Sequence, residues 1–344
     1  MHRALRGHSP CLSRIQARLK WLRLGAWRLS SMLLLSLSSL SLAQAAQDQH
    51  PDYSARPGVS GSLSSMGSET LNSLMTLWAE HFQSYYPGIN LQLQGFGSST
   101  GAPALTEGTA LFAPMSRAMR PSEISRFEQR YGYPPLALPI AIDLVAVFVH
   151  RHNPLQQITL AELDAIFSEN RFQGYPQAIT HWGQLGLDAP WQTRKITRFS
   201  RNAVSGTYGY FKEKVLLGGD FRAQVNEQPG SSSVVLGVGR ALNGIGYSGI
   251  GFRNPAVKTL ALALSPEHPY AEPSAENVVN GHYPLARYLY LYVNKPPQGQ
   301  LDPLQREFIR FIYSKQGQAL VEQEGYLPLP AELSARLRHE LELD

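Results

Sequence analysis

The sequence predicts an α/β protein, with largely parallel sheets flanked by helices. Two observations carry that expectation. Segments with helical spacing of three and four alternate along the chain with short apolar or alternating segments. The strongest strand signal, Leu138–His150 (LPIAIDLVAVFVH), is apolar on both faces, as suits a strand inside a covered sheet. No fixed internal period is visible, which excludes repeat architectures. With 344 residues, 43% hydrophobic and 17% charged, the chain can bury the core of about two domains.

The elements follow in order. Residues 47–60 are polar and hold Pro51, Pro57 and Gly58, which predicts a loose start. Leu71, Leu74, Met75, Trp78 and Phe82 share one helical face and predict a helix over 71–85. Ile89–Leu93 alternates as a strand does. A short helix is expected from Ala104. Another covers Pro121–Tyr131, opened by Pro121-Ser122 with Glu123 in its first turn. Ile158–Phe167 reads as a helix with Thr159 as its N-cap. Ile196–Phe199 reads as a strand, Tyr208–Leu217 as a helix, and Ile245–Ile250 and Tyr288–Val293 as strands. Pro303–Glu324 reads as one terminal helix closed by Gly325. The stretches around 170–195 and 265–285 read as irregular.

Charge and cysteine use bound the function. Residues 1–46 hold seven basic residues and no acidic one; removing those seven from 31 basic and 26 acidic residues leaves 24 against 26. The net charge of +5 therefore belongs to the leader, and no basic stripe remains for nucleic acid. Met32–Leu42 is an eleven-residue apolar run diluted by serines, too short to span a membrane. It follows the basic segment and precedes Ala43-Gln44-Ala45-Ala46, so residues 1–46 read as a signal peptide and the product as periplasmic. Cleavage there removes Cys11, the only cysteine, and with it disulfide and thiol chemistry. The ten histidines form no metal-binding motif, and no metal or cofactor is expected.

Three segments share one design. Gly67-Ser68-Glu69-Thr70 precedes a helix. Gly97-Ser98-Ser99-Thr100-Gly101 lies between a strand and a helix. Ser205-Gly206-Thr207 opens a helix, with Arg201 four residues before Ser205. Each supplies hydroxyls, free backbone N–H groups and the positive end of a helix dipole, which together favour an anion. Arginine adds a charge-assisted contact. Taken singly, each segment reads equally as an ordinary N-cap. The second segment also matches G-x-S-x-G, so Ser99 is a candidate hydrolase nucleophile, with His181 or His282 as base.

The ordered set is specific where no single motif is. It comprises Gly67–Thr70, Gly95-Phe96-Gly97-Ser98-Ser99, Arg201-x-x-x-Ser205-Gly206-Thr207, the Thr159–Phe167 helix with Trp182 downstream, Asn243-Gly244-Ile245-Gly246-Tyr247, and Gln323–Leu329. Over roughly residues 61–330 these resemble the periplasmic phosphate-binding proteins of ABC transporters. The resemblance implies a two-lobed clamp with crossover hinge strands, each lobe a mostly parallel sheet flanked by helices. Lobe 1 is expected over 47–144 and 245–344, and lobe 2 over 145–244. It implies a binding protein rather than an enzyme, a monomer that holds inorganic phosphate between its lobes and presents it to an inner-membrane ABC permease. Thr70, Leu71, Ser98, Arg117, Arg201, Ser205, Gly206 and Thr207 would contact phosphate, with backbone N–H groups of Leu71, Gly206 and Thr207 completing the cradle.

One departure bears on selectivity. Well-studied members carry an aspartate after the second ligand loop that accepts the proton of monohydrogen phosphate; here Arg117 stands at that place. Arg117 is expected either to add a second cation or to turn outward and pair with Glu123. Asp143 and Glu69 are then the acids left to read a ligand proton, although Asp143 reads first as a residue that orders hinge backbone. Arg117 favours one alternative, another oxyanion such as sulfate or molybdate; a phosphate-sensing exported protein without transport and the Ser99 hydrolase are the others.

Overall fold

The longest strand organises the molecule. In the computed structural model, which describes residues 50–344, β4 (Leu136–His150) runs for 15 residues and serves two cores in turn. Its first half pairs antiparallel with β11 (Ala286–Val293), from Leu136↔Val293 to Leu144↔Ala286. Its second half pairs antiparallel with β8 (Gly244–Gly249) and with β9 (Val257–Thr259). The predicted signal peptide, residues 1–46, lies outside the described residues.

The remaining strands attach on either side. β3 (Ala113–Met115) pairs antiparallel with β11, while β6 (Thr197–Arg201) joins β8 and β7 (Val225–Gln228) in parallel. The order is β3-β11-β4-β8-β6-β7, with β9 off this path on β4. Two further parallel pairs are β1 (Ser62–Met66) with β2 (Asn90–Gln94), and β5 (Gln157–Thr159) with β10 (Ala261–Ala263). The α/β class holds. The pairing around β4 is antiparallel because β4 and β11 cross between the two cores in opposite directions.

The helices cover these sheets. They are α1 (Asn72–Tyr85), α2 (Ser98–Glu107), α3 (Pro121–Tyr131), α4 (Leu160–Phe167), α5 (Gly206–Lys214), α6 (Ser231–Arg240), α7 (Ala275–Val279), α8 (Pro303–Ile312), α9 (Lys315–Gln323) and α10 (Ala331–Glu340). The single terminal helix expected over 303–324 is broken at Ser314, whose hydroxyl accepts from the Gly317 N–H and caps α9. Gly325 follows α9 in the left-handed region at φ 80°, as its place after the helix requires.

The two main apolar clusters meet within β4. Leu138, Ile140 and Ala141 belong to the first, with Trp78 and Phe82 of α1 and Phe308 and Phe311 of α8. Leu144, Val145, Val147 and Val149 belong to the second, with Phe167, Trp182 and Phe211. Each fully buried side chain of this size contributes about 1.5–3 kcal/mol by leaving water. Ile245, Tyr247, Leu260, Leu262, Tyr283 and Leu285 also join the second cluster. The chain therefore returns to the first core at β11, and not at residue 245 as the sequence suggested.

The expected loose start is tied down from His50. Pro51 O accepts from the Lys315 N–H, and Tyr53 packs edge-on against Phe311 with its hydroxyl on Glu307 Oε2. Arg310 closes this knot by pairing with Glu307 and donating to Ser54 O. Among the described residues no helix is long and apolar enough to cross a membrane. Nor is any group of three or more His, Cys, Asp or Glu there placed to hold a metal ion.

Candidate functional site

The site gathers where β4 and β11 cross. The turn after β1, the turn after β2, the end of β3 and the turn after β6 all deliver hydroxyls there. Thr70 Oγ1 lies 3.1 Å from Thr207 Oγ1, and Ser98 Oγ lies 3.3 Å from Ser116 Oγ. Ser116 also donates its backbone N–H to Ser98 Oγ at 3.0 Å. All four hydroxyl side chains are buried.

The helices that begin here explain the composition. Ser205 caps α5 by accepting from the Thr207 and Tyr208 N–H groups, so its hydroxyl is spent on the helix. Gly206 opens α5, and any Cβ there would fall inside contact distance of both Ser98 Oγ and Ser116 Oγ. Gly97 stands before α2 at φ 118°, where a Cβ would meet Val204 O at 2.7 Å. The Ser99 N–H donates to that same Val204 carbonyl at 3.2 Å. Leu71 packs its side chain in the first core, so it faces the site only through its backbone. The first N–H groups of α1, α2 and α5 have no intrahelical acceptor and carry the positive ends of the helix dipoles.

Beneath the hydroxyls lies a buried ion pair. Asp143 and Arg287 are register partners on β4 and β11. Asp143 Oδ2 accepts from Arg287 Nε at 3.0 Å and Nη2 at 2.7 Å. Arg287 also donates Nη2 to Thr207 Oγ1 at 2.9 Å and Nη1 to Ser116 O at 2.6 Å. Its guanidinium stacks over the Tyr210 ring, with 5.1 Å to the centroid. Asp143 Oδ1 is buried with no hydrogen-bond partner among the described residues, as is Ser68 Oγ.

The two arginines expected at the anion are placed differently. Arg201 is buried at the end of β6. Its Nη1 meets Ser231 Oγ and Glu69 Oε2, each at 2.7 Å, and its Nη2 donates to Pro229 O at 2.9 Å. Its Nε is buried with no hydrogen-bond partner among the described residues. Burial lowers its pKa from the ordinary value, with the Glu69 carboxylate opposing. Arg117 turns to Glu123 instead, with two 2.7 Å bonds, and donates to Ala118 O. The Arg120 N–H also donates to Glu123 Oε2. Burial raises the Glu123 carboxyl, but these bonds outweigh it and hold its pKa below the usual carboxylate value. Arg117 therefore has its charge met by Glu123, the second of its two expected placements, and does not stand among the phosphate contacts where it was also expected.

Of the expected residues, Thr70, Ser98, Gly206 and Thr207 come together directly, and Arg201 stands alongside. Ser116, Arg287 and Ser231 were not anticipated. A signal for Arg287 was present. Asp143 is the only charge in the apolar run 138–149, and Arg287 the only one in the strand ARYLYLYV. A charged side chain buried within a strand needs a partner of opposite sign.

The hydrolase arrangement does not form. Ser99 Oγ accepts from Arg117 Nη2 at 3.3 Å, while His181 Nδ1 pairs with Thr180 Oγ1. An anion held by hydroxyls and helix starts, over an ion pair with one spare carboxylate oxygen, is what this geometry fits.

Known proteins agree with that reading. The family model PBP_like_2, described as a PBP superfamily domain, matches residues 52–316. The chain is 52% identical over 293 residues to the phosphate-binding protein PstS of Pseudomonas aeruginosa, covering 85% of this chain and 91% of that one. It is 30% identical to the protein SphX of Synechococcus elongatus, covering 77% of each. Among solved structures, a phosphate ABC transporter substrate-binding protein with bound phosphate from Clostridium perfringens superposes with a TM-score of 0.65 at 26% identity. It covers 78% of this chain and 99% of that one. The Pseudomonas and Clostridium relatives are named as binding proteins, and the chain belongs to the PstS phosphate-binding protein family within the PBP superfamily.

Proposed function

We propose that this protein captures inorganic phosphate in the periplasm and delivers it to an inner-membrane ABC permease. The observation that carries the reading is the cluster of Thr70, Ser98 and Thr207 hydroxyls at three helix starts, joined by Ser116 at the end of β3, over the Asp143–Arg287 pair. The relatives named for phosphate support the choice of anion. Two lobes are taken to meet at the strand crossing, one holding 50–143 and 287–344 and the other 144–286. Phosphate would favour the closed arrangement over the open one by binding it better.

Selectivity follows from the spare oxygen of Asp143. Monohydrogen phosphate has a proton to give it, whereas sulfate at neutral pH has none and would face a bare carboxylate. Glu69 is excluded from this role because both its oxygens are engaged. The sulfate or molybdate alternative rested on Arg117, whose charge is met by Glu123.

Titration calorimetry tests the reading. Phosphate should bind tightly to the parent protein, stripped of anion by unfolding and refolding. Gly206→Ala should bind at least about tenfold more weakly, since its methyl would crowd two ligand hydroxyls. No phosphate heat in the parent would overturn the assignment.

A further inference from the structure

We infer that Glu69 is a positioning residue: a latch that holds the two sides of the site together and sets the rate at which ligand leaves. The inference rests on the phosphate reading for the identity of that ligand. Glu69 lies in the turn before α1, which packs on the first core. Its partners come from the other side, from β6 and the start of α6. Oε1 accepts from the Ser231 backbone N–H at 3.0 Å, and Oε2 accepts from Ser231 Oγ at 2.8 Å. Oε2 also meets Arg201 Nη1 at 2.7 Å, and Ser231 Oγ accepts from the same Nη1 at 2.7 Å. Glu69, Ser231 and Arg201 thus form a closed triangle of charge-assisted bonds at a helix start.

Three features make this a latch and not a static ion pair. The three bonds made by Glu69 cross from the α1 side to β6 and α6, so separation of the sides breaks them at once and leaves only the Arg201–Ser231 bond in place. Glu69 remains a quarter exposed. Its carboxylate can therefore return to water when the sides part, while Arg201 stays buried and loses the one carboxylate paired with it among the described residues. Glu69 also adjoins Thr70, whose Oγ1 touches Thr207 across the site. Seating the carboxylate on α6 therefore sets the position of a ligand hydroxyl. Bonds present only in the joined state slow dissociation and leave association nearly unchanged.

Stopped-flow phosphate release and association on the parent, Glu69→Ala, Glu69→Gln and Ser231→Ala decide the matter. Glu69→Ala should release phosphate at least about tenfold faster, with association within about twofold of the parent. Glu69→Gln, which keeps the shape but not the charge, and Ser231→Ala should fall between. A purely structural ion pair would move the melting temperature of the anion-free variants without splitting release from association. Unchanged or slower release in both Glu69 variants would overturn the latch, slower release meaning that the carboxylate chiefly repels the anion. A parent that binds no phosphate would overturn the ligand assignment beneath it, a result distinct from a parent that binds but whose variants release normally.

Discussion

Two buried arginines within the same fold differ in how completely they meet the carboxylate they pair with. Arg117 grips both oxygens of Glu123, and the Arg120 N–H adds to one of them, so both carboxylate oxygens are met, while the Arg117 Nε stays buried with no partner among the described residues. The result is a clip that fixes the start of α3. Arg287 grips only Oδ2 of Asp143, leaves Oδ1 buried without a partner, and spends its remaining donors on Thr207 Oγ1 and Ser116 O. A buried polar atom left unmet costs free energy unless something binds it. The carboxylate oxygen left spare beside the hydroxyls supports the proposed site, whereas Arg117 takes the second of its two expected placements, on Glu123.

The sharpest way to break the comparison is to remove each cation. Arg287→Met strands Asp143, which is wholly buried, and should cost about 3–5 kcal/mol of stability in denaturant titrations. Phosphate binding should fail with it. Arg117→Met strands Glu123, whose side chain is 13% exposed and keeps its Arg120 N–H bond. A loss of about 1–2 kcal/mol is expected, with phosphate affinity within about threefold of the parent by calorimetry. If Arg117→Met abolished binding while Arg287→Met retained it, the roles assigned here would be reversed.

The smallest expected effect is one of pH. Glu123 has a depressed pKa in the folded protein, so its pair contributes stability above the ordinary carboxylate pKa. That contribution is lost as the pH falls from the ordinary value through the depressed one. Glu123→Gln should flatten this part of the stability–pH curve, and melting temperatures across the acid range would check it.

Much of the scaffold was legible in the sequence. Helix 121–131 was placed to the residue by its proline start and first-turn glutamate, and β4 to within two residues by its apolar run. The helix Ser231–Arg240 was missed because SSSVVLGVGR is rich in glycine and β-branched residues, poor helix formers. Its helical signal lay in the spacing of Ser231, Val234, Val235 and Val238, all buried. That omission hid the α6 start, and with it the partner of Glu69. The hydroxyls at helix starts were legible because capping chemistry is local. Asp143 and Arg287 lie 144 residues apart and meet only through strand register, which no local pattern specifies.

The central claim is that the spare oxygen of Asp143 reads the anion's proton. Calorimetric titration of the parent and Asp143→Asn with phosphate and sulfate at pH 7 tests it most directly. The account predicts tight phosphate and undetectable sulfate binding in the parent. In Asp143→Asn, the preference for phosphate should fall by at least about tenfold as sulfate gains entry. An Asp143→Asn protein that still rejects sulfate as strictly as the parent would contradict it.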